Sequence, residues 1–294
     1  MSARILDGEV FASRLHRENL VRVDKLKSRG ITAGLVFIRV GEDPASRAYV
    51  SRKEKRAQEI GISSRTLVLP ESTPLATLLK EIDALNADPR IHGILIQSPL
   101  PPSLPSDLVY SHVAPGKDVD GFHPLNFGKL LLGDPGGFVP CTPAGILEIL
   151  RLGEIPTSGK HAVVVGRGQI VGRPLALLLA RKAPGADCTV TLAHSRTRDL
   201  PQITRQADIL VGAMGRPLFL TKEHVKPGAT VIDVGVNRLT DPTSPRGYRL
   251  VGDVDFESVK TIAGAITPNP GGVGPMTIAL LLSNTVRAAE DLSR

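Results

Sequence analysis

Residues 161–176 read HAVVVGRGQIVGRPLA, an apolar run that breaks on glycines and passes at once into a helix-forming segment. No other stretch of the chain constrains the fold as tightly. A strand that ends in a turn punctuated by Gly166, Gly168 and Gly172 brings bare backbone amides to a helix N-terminus, where a pyrophosphate can approach them. The spacing is GxGxxxG, a variant of the usual dinucleotide-binding pattern, and in isolation it fits any tight strand-to-helix turn. Its surroundings narrow the choice. Further Val-, Ile- and Leu-rich runs at 188–194, 207–213, 229–235 and 263–268 alternate with helices or turns, the rhythm of a parallel sheet covered by helices. These five strands make a nucleotide-binding domain the expected outcome for the second half of the chain.

The first half repeats the rhythm, with expected strands at 33–40, 65–69 and 93–96. The helix after the first of these is well marked: Asp43 can cap it, Pro44 suits its first turn, and Gly61 follows its last. Residues 99–140 are dense in Pro and Gly, as in SPLPPSLP and GDPGGFVPCTP, and read as a linker and active-site loop region. An apolar helix from Met276 to about Ala289 is expected to return and pack on the first domain. At 294 residues the chain exceeds the usual size of one core. The expected fold class is therefore α/β, with two α/β domains flanking a cleft. The first would comprise 1–140 plus 276–294, and the second, Rossmann-like, 141–275.

The net charge of +7 comes from scattered Lys and Arg in a chain with only 3% aromatic residues, which argues against nucleic acid as a partner. The longest apolar runs fall well short of the roughly 20 residues that span a bilayer, and the opening MSARILDGEV lacks a secretory pattern. No membrane partner and a cytoplasmic protein are expected. The two cysteines, Cys141 and Cys188, have no metal-ligand spacing and read as unpaired structural thiols in a reducing compartment. No metal is expected.

Several residues stand out as candidates for chemistry. NAD-binding domains place an acidic residue against the ribose at the end of their second strand; here that position is Ser195, followed by Arg196 and Arg198. With Arg167 in the glycine turn, these offer donors to a 2′-phosphate and favour NADP over NAD. Tyr49 and Lys53 lie four residues apart on the capped helix and so share a face, a spacing equally compatible with solvated surface positions. Gln97 is a polar residue at the end of a buried strand, and Asp118 and Asp120 share a loop. NPGGVGP, before the last helix, is nearly free of side chains and suited to the close approach of an anion or a ring.

Taken together, DPASRAYVSRKEK, GILIQSPLP, KDVDGFHPLNFGKL, PCTPAGI, GRGQIVGRP, DVGVNR, VGDV and PGGVGPMT resemble the bifunctional methylenetetrahydrofolate dehydrogenase/cyclohydrolase family. The resemblance runs from about Asp7 to Ala288. It implies NADP-dependent oxidation of 5,10-methylenetetrahydrofolate, hydrolysis of the 5,10-methenyl product to 10-formyltetrahydrofolate, and a homodimer built through the nucleotide-binding domains. It also implies roles: Lys53 as the main catalytic residue, Tyr49 stacking on or orienting the folate, Gln97 hydrogen-bonding Lys53, and Asp120 gripping the pterin. Ile96, Ser98 and the segment Pro270, Gly271, Gly272, Val273 and Gly274 would line the folate. Gly166, Arg167, Gly168, Ser195, Arg196, Val236 and Thr277 would approach the cofactor. One departure is Gly168, where the family often has Ser in the turn; its loss removes a hydroxyl donor but no backbone amide. A family member with dehydrogenase activity alone, another NADP-dependent two-domain oxidoreductase and a ligand-binding module without turnover remain open at this point.

Overall fold

The structure, a computed structural model, describes residues 2–244 and 247–293. The chain divides into two compact units, one containing the residues up to Ala12 with Thr142–Thr277, the other Ser13–Cys141 with the residues from Ile278 on.

In chain order the elements begin with β1 (Arg4–Ile5), α1 (Gly8–Lys27), β2 (Gly34–Val40), α2 (Pro44–Glu59), β3 (Ser63–Leu69), α3 (Leu75–Ala87) and β4 (Gly93–Ile96). Strands β3, β2 and β4 form a parallel three-stranded sheet with β2 in the middle. Every residue of β2 is buried, and its period-two alternation sorts side chains onto two faces. Leu35 and Phe37 join one core with Val50 and Ala57 of α2, whereas Val36 and Ile38 join a second with Leu78 and Ile82 of α3. Each such side chain taken fully from water contributes about 1.5–3 kcal/mol. The face of Leu35 and Phe37 is also covered by Ile278, Leu281, Leu282 and Val286 near the C-terminus.

Helix α2 forms where its sequence marks it. The Asp43 carboxylate accepts from the Ser46 amide at 2.7 Å, and Pro44 occupies the first turn, where its missing N–H costs nothing. Beyond the last turn, Gly61 holds φ at +83°. The segment 99–140, expected to lack regular structure, instead contains α4 (Ser106–His112) and α5 (Pro124–Leu132). Its prolines and glycines are partly helix punctuation: Pro124 opens α5, the His123 ring accepts from Leu125 N at 3.0 Å, and Gly133 closes the helix in the left-handed region at φ +74°.

The remaining elements are α6 (Cys141–Leu152), β5 (His161–Val165), α7 (Gly172–Ala180), β6 (Thr189–Ala193), α8 (Leu200–Thr204), β7 (Ile209–Gly212), β8 (Thr230–Asp233), β9 (Asn237–Thr240), β10 (Tyr248–Val251), α9 (Phe256–Val259), β11 (Ala265–Ile266) and α10 (Val273–Leu292), whose part from Ile278 on belongs with β2–β4 and the rest with β5–β11. Six strands pair in parallel in the order β1-β11-β8-β7-β5-β6. From β6 inward this is the doubly wound order 2-1-3-4-5, with a sixth strand added at the far edge. The connection reverses direction beside β5, and ligands of such sheets bind outside the carboxyl ends of the strands at that point.

Five strands of this sheet were expected; the sixth was not. Strand β1 comes from the chain's beginning, with Arg4 paired to Ala265 and Ile5 to Ile266, so the first residues join this unit rather than the other. The antiparallel β9–β10 pair was also unforeseen, and the last helix begins three residues earlier than Met276.

Candidate functional site

Gly41 follows β2, and α2 then presents Tyr49 and Lys53 one turn apart. Lys53 is 4% exposed. Its Nζ donates to Gln97 Oε1 at 3.1 Å and lies 4.4 Å from the centroid of the Tyr49 ring, within cation–π range. Gln97 follows β4 directly, and its backbone amide continues the sheet by donating to Ile38 O at 2.8 Å. The side-chain amide of Gln97 is oriented from its other end, because Nε2 donates to Ser98 O at 2.7 Å. The Ser98 hydroxyl is hydrogen-bonded to the Tyr110 hydroxyl.

On the other side of β4 from β2, Ile94 N donates to Lys117 O at 2.8 Å and Ile94 forms a parallel bridge with Asp118. This lays residues 117–119 alongside β4 and carries Asp120 toward Lys53. Asp118 is the brace of the turn that follows. Its carboxylate accepts from Phe122 N at 3.1 Å, His123 N at 2.7 Å and Asn126 Nδ2 at 2.8 Å. Lys117, also buried, places Nζ among the carbonyls of Leu85, Asn86 and Asp88 at 3.1, 2.8 and 2.7 Å. Both are fold-holding residues.

Burial sets the electrostatics. Removal from water pushes the Lys53 ammonium below its ordinary range, partly offset by the charge of Asp120. Burial raises the Asp120 carboxyl, opposed by the charge of Lys53. Cys141 is 1% exposed, and burial first, then Asp120, pushes its thiol well up. The sequence reading treated this cysteine as structural. Its partners lie far away in the sequence, and a lone Cys in a Pro-rich run gives no hint of them.

Burial also raises Asp118 to about 7. The native state then keeps a proton that the unfolded chain releases near pH 4, so this stabilisation is present at acid pH and lost as pH rises through about 7. Asp118→Asn abolishes the linkage and turns an NH₂ toward backbone donors. We expect a less stable variant whose deficit in thermal midpoint is larger at pH 5 than at pH 8; a deficit that grows with pH would contradict the assignment.

In the other unit the glycine turn follows β5. Gly166 has φ +126°, and a Cβ there would sit 2.0 Å from Ala213 O; at Gly172 it would sit 1.8 Å from Gly166 O. These two glycines are required by backbone crossing backbone. Gly168 is different: it is exposed, and a Cβ there would meet nothing within 4 Å. No side chain caps α7, so the helix start is open to an anion. Arg167, Ser195, Arg196 and Arg198 are all exposed, and Val236 is 77% exposed. Thr277 is buried, its Oγ1 3.1 Å from Thr142 Oγ1. The bare turn, uncapped helix and absence of a carboxylate at Ser195 fit a dinucleotide with a 2′-phosphate.

The 270–274 segment shows why its glycines are there. A Cβ at Gly272 would lie 2.5 Å from Pro268 O, and one at Gly8 would lie 1.7 Å from Gly272 O; Gly8 N donates to Gly271 O at 2.9 Å. Packing against the start of α1 thus accounts for Gly272, while Gly271 holds φ +105° and Gly274 faces open space. Pro270 is exposed, and Val273 and Gly274 belong to the first turn of α10 rather than to a loop.

DVGVNR and VGDV acquire a physical meaning that the sequence reading did not supply. Asp233 accepts from the amides of Gly235, Asp253 and Val254 at 3.0, 2.9 and 3.2 Å. Asp253 in turn accepts from Met214 N, Gly215 N, Arg216 N and Asn237 Nδ2 at 2.6, 3.0, 2.8 and 2.9 Å. Together they fix the loops leaving β7 and β8, including Ala213, against which Gly166 packs.

Comparison with known proteins bears on this arrangement. Residues 6–120 match the catalytic domain model, and residues 140–293 the NAD(P)-binding domain model, of tetrahydrofolate dehydrogenase/cyclohydrolase. The bifunctional protein FolD 1 of Myxococcus xanthus is 54% identical over 287 residues, covering 98% of each chain. Among solved structures, the bifunctional FolD enzyme of Campylobacter jejuni is similar at TM-score 0.93 and 45% identity, covering 99% of each chain. The Trypanosoma brucei dehydrogenase-cyclohydrolase, solved with NADP cofactor and inhibitor, is similar at TM-score 0.95 and 38% identity, covering 100% of this chain and 99% of that one.

Proposed function

The chain belongs to the tetrahydrofolate dehydrogenase/cyclohydrolase family, and from that premise we propose how its own residues divide the work of two reactions. It oxidises 5,10-methylenetetrahydrofolate with NADP⁺ to the 5,10-methenyl form, then hydrolyses that product to 10-formyltetrahydrofolate. The buried Lys53–Gln97 pair, with Asp120 and Cys141 beside it, is the observation that carries the assignment of residues.

The two steps ask different things of the protein. In the first, the carbon that loses hydride bridges two nitrogens whose lone pairs stabilise the resulting cation, so positioning dominates. Tyr49 orients the folate, Asp120 holds the pterin, and Ile96, Ser98 and residues 270–274 line it. NADP⁺, when bound, supplies the hydride acceptor. Gly166, Arg167, Gly168, Ser195, Arg196, Val236 and Thr277 are the residues that would hold it.

The second step moves protons. Water adds to the methenyl carbon and gives one proton to Nζ of Lys53; the carbon–nitrogen bond to N5 then breaks as the remaining hydroxyl proton is released to solvent and the formyl C=O forms on N10, and Nζ returns its proton to N5. A lysine whose ammonium burial holds below its ordinary range takes up and gives back a proton more readily than a solvated one. Gln97 Oε1 fixes Nζ, and Ser98 O fixes Gln97 in turn.

Among the described residues, no helix is long and apolar enough to cross a membrane. We place the enzyme in the cytoplasm and assign it a homodimer through the nucleotide-binding unit, supported by the family resemblance and by β6, which among the described residues is an edge strand paired to β5 alone. Purified protein should form NADPH from methylenetetrahydrofolate while methenyltetrahydrofolate, followed at a second wavelength in the same cuvette, stays low. Accumulation of the methenyl product in step with NADPH would leave a dehydrogenase alone, and no NADPH would refute the assignment.

A further inference from the structure

Prolines interrupt the backbone where the chain leaves β11. In the run Thr267, Pro268, Asn269, Pro270 every second residue lacks an N–H, so the parallel ladder with β8 cannot continue through backbone amides alone. The side chains between the prolines take it over. Thr267 N still donates to Val231 O at 3.1 Å; Thr267 Oγ1 then accepts from Asp233 N at 2.8 Å, and Asn269 Nδ2 donates to Gly235 O at 2.6 Å. Because its partner is a carbonyl, the Asn269 amide must face it with NH₂.

Gly235 is thus held from both ends, its N–H donating to Asp233 Oδ1 at 3.0 Å while its carbonyl accepts from Asn269. Asn269 is itself seated against bare backbone: a Cβ at Gly252 would lie 2.5 Å from Asn269 Nδ2. The Asn269–Gly235 hydrogen bond joins two loops that serve different ligands. Val236, directly after Gly235, belongs to the set assigned to NADP⁺; Pro270, directly after Asn269, opens the segment assigned to the folate. Both loops lie in the unit that contains Thr142–Thr277.

We propose that Asn269 is a positioning residue for hydride transfer: it ties the loop carrying Val236 to the loop that lines the folate, so that the supports of hydride donor and acceptor keep a fixed spacing. The inference rests on the assignment of Val236 and residues 270–274 given above. The methylene carbon gives up a hydrogen with its electron pair and is left as the methenyl cation, while NADP⁺ is reduced to NADPH. Such a transfer tolerates little error, since reacting atoms must approach to about 3–3.5 Å and a displacement of about 1 Å can cost a hundredfold. Hydrolysis needs no cofactor and does not draw on this tie.

Asn269→Leu keeps the shape of the side chain and removes the donor. In the cofactor-free protein, hydrogen exchange of the Gly235 amide, followed by NMR, should quicken about tenfold while the amides of β5 are unchanged. Single-turnover NADPH formation should slow about tenfold, with a larger isotope effect when the methylene carbon carries deuterium, and hydrolysis of added methenyltetrahydrofolate should stay within about twofold of wild type. A merely structural Asn269 would lower the thermal midpoint and leave the transfer rate and isotope effect alone. That result, equal slowing of both reactions, or unaltered exchange at Gly235 overturns the proposal. Should Asn269→Leu fail to fold, unslowed transfer in Asn269→Ala overturns it equally. If the wild type itself forms no NADPH, the assignment of the reaction is wrong; if it does and Asn269→Leu keeps pace with it, only the role of Asn269 is wrong.

Discussion

Replacing Lys53 by Met should lower methenyltetrahydrofolate hydrolysis roughly a hundred- to ten-thousandfold, the usual contribution of a positioned proton-transfer group, while NADP⁺ binding persists. The side chains are similar in length, so the helix and its core contacts with Val50 and Ala57 are retained. What disappears is the amine 3.1 Å from Gln97 Oε1. Dehydrogenation should suffer far less, since it depends on orientation rather than on a proton acceptor. In practice NADPH would still form and the methenyl product would accumulate. Undiminished hydrolysis would remove Lys53 from the mechanism.

The glycine turn yields the second large effect. Gly166→Ala places a methyl 2.0 Å from Ala213 O on a backbone at φ +126°, and neither the carbonyl nor the turn can yield without opening the β5–β7 edge. We expect a loss of about 3–5 kcal/mol in stability and loss of measurable NADP⁺ binding by titration calorimetry. Gly168→Ser is the counterpart. Its Cβ meets nothing within 4 Å, so the fold should be unaffected, and the added hydroxyl should tighten NADP⁺ binding by about three- to tenfold through one further donor. Equal damage from both substitutions would show that the turn is simply intolerant of side chains.

Much of this was legible in the sequence because it is encoded locally. Asp43, Pro44 and Gly61 bracket α2 within a few residues, and the apolar runs that became β2, β4, β5, β7 and β8 are continuous because those strands are covered on both faces. What escaped depends on distant partners. Strand β1 is two exposed residues given meaning only by Ala265 and Ile266. The β9–β10 pair carries NRLT and YRLV, too polar and short to stand out before pairing. Helices α4 and α5 were hidden by the prolines and glycines at their ends.

The candidate site divides in the same way. Lys53, Gln97 and Asp120 converge in space as their motifs suggested, although the Tyr49–Lys53 spacing alone fits a solvated helix face and it took a 4% exposed lysine to separate the two readings. The place of Cys141 beside Lys53 and Asp120 was invisible, because a lone thiol carries no sign of partners distant in sequence. Of the glycines, Gly166 and Gly172 serve backbone crossings, and Gly272 serves the packing of α1. A sequence shows that a glycine is present, not which neighbour forbids its Cβ.

The most direct test is the titration of Lys53 itself. In protein carrying ¹³C at the lysine ε-carbons, the resonance missing from Lys53→Met identifies the residue, and its shift can be followed against pH. A buried amine flanked by Gln97 and Tyr49 should titrate below the free lysine value of about 10.4, with the other lysines as internal controls. A midpoint at or above that value would contradict the account, because an amine that stays protonated cannot take the proton from water.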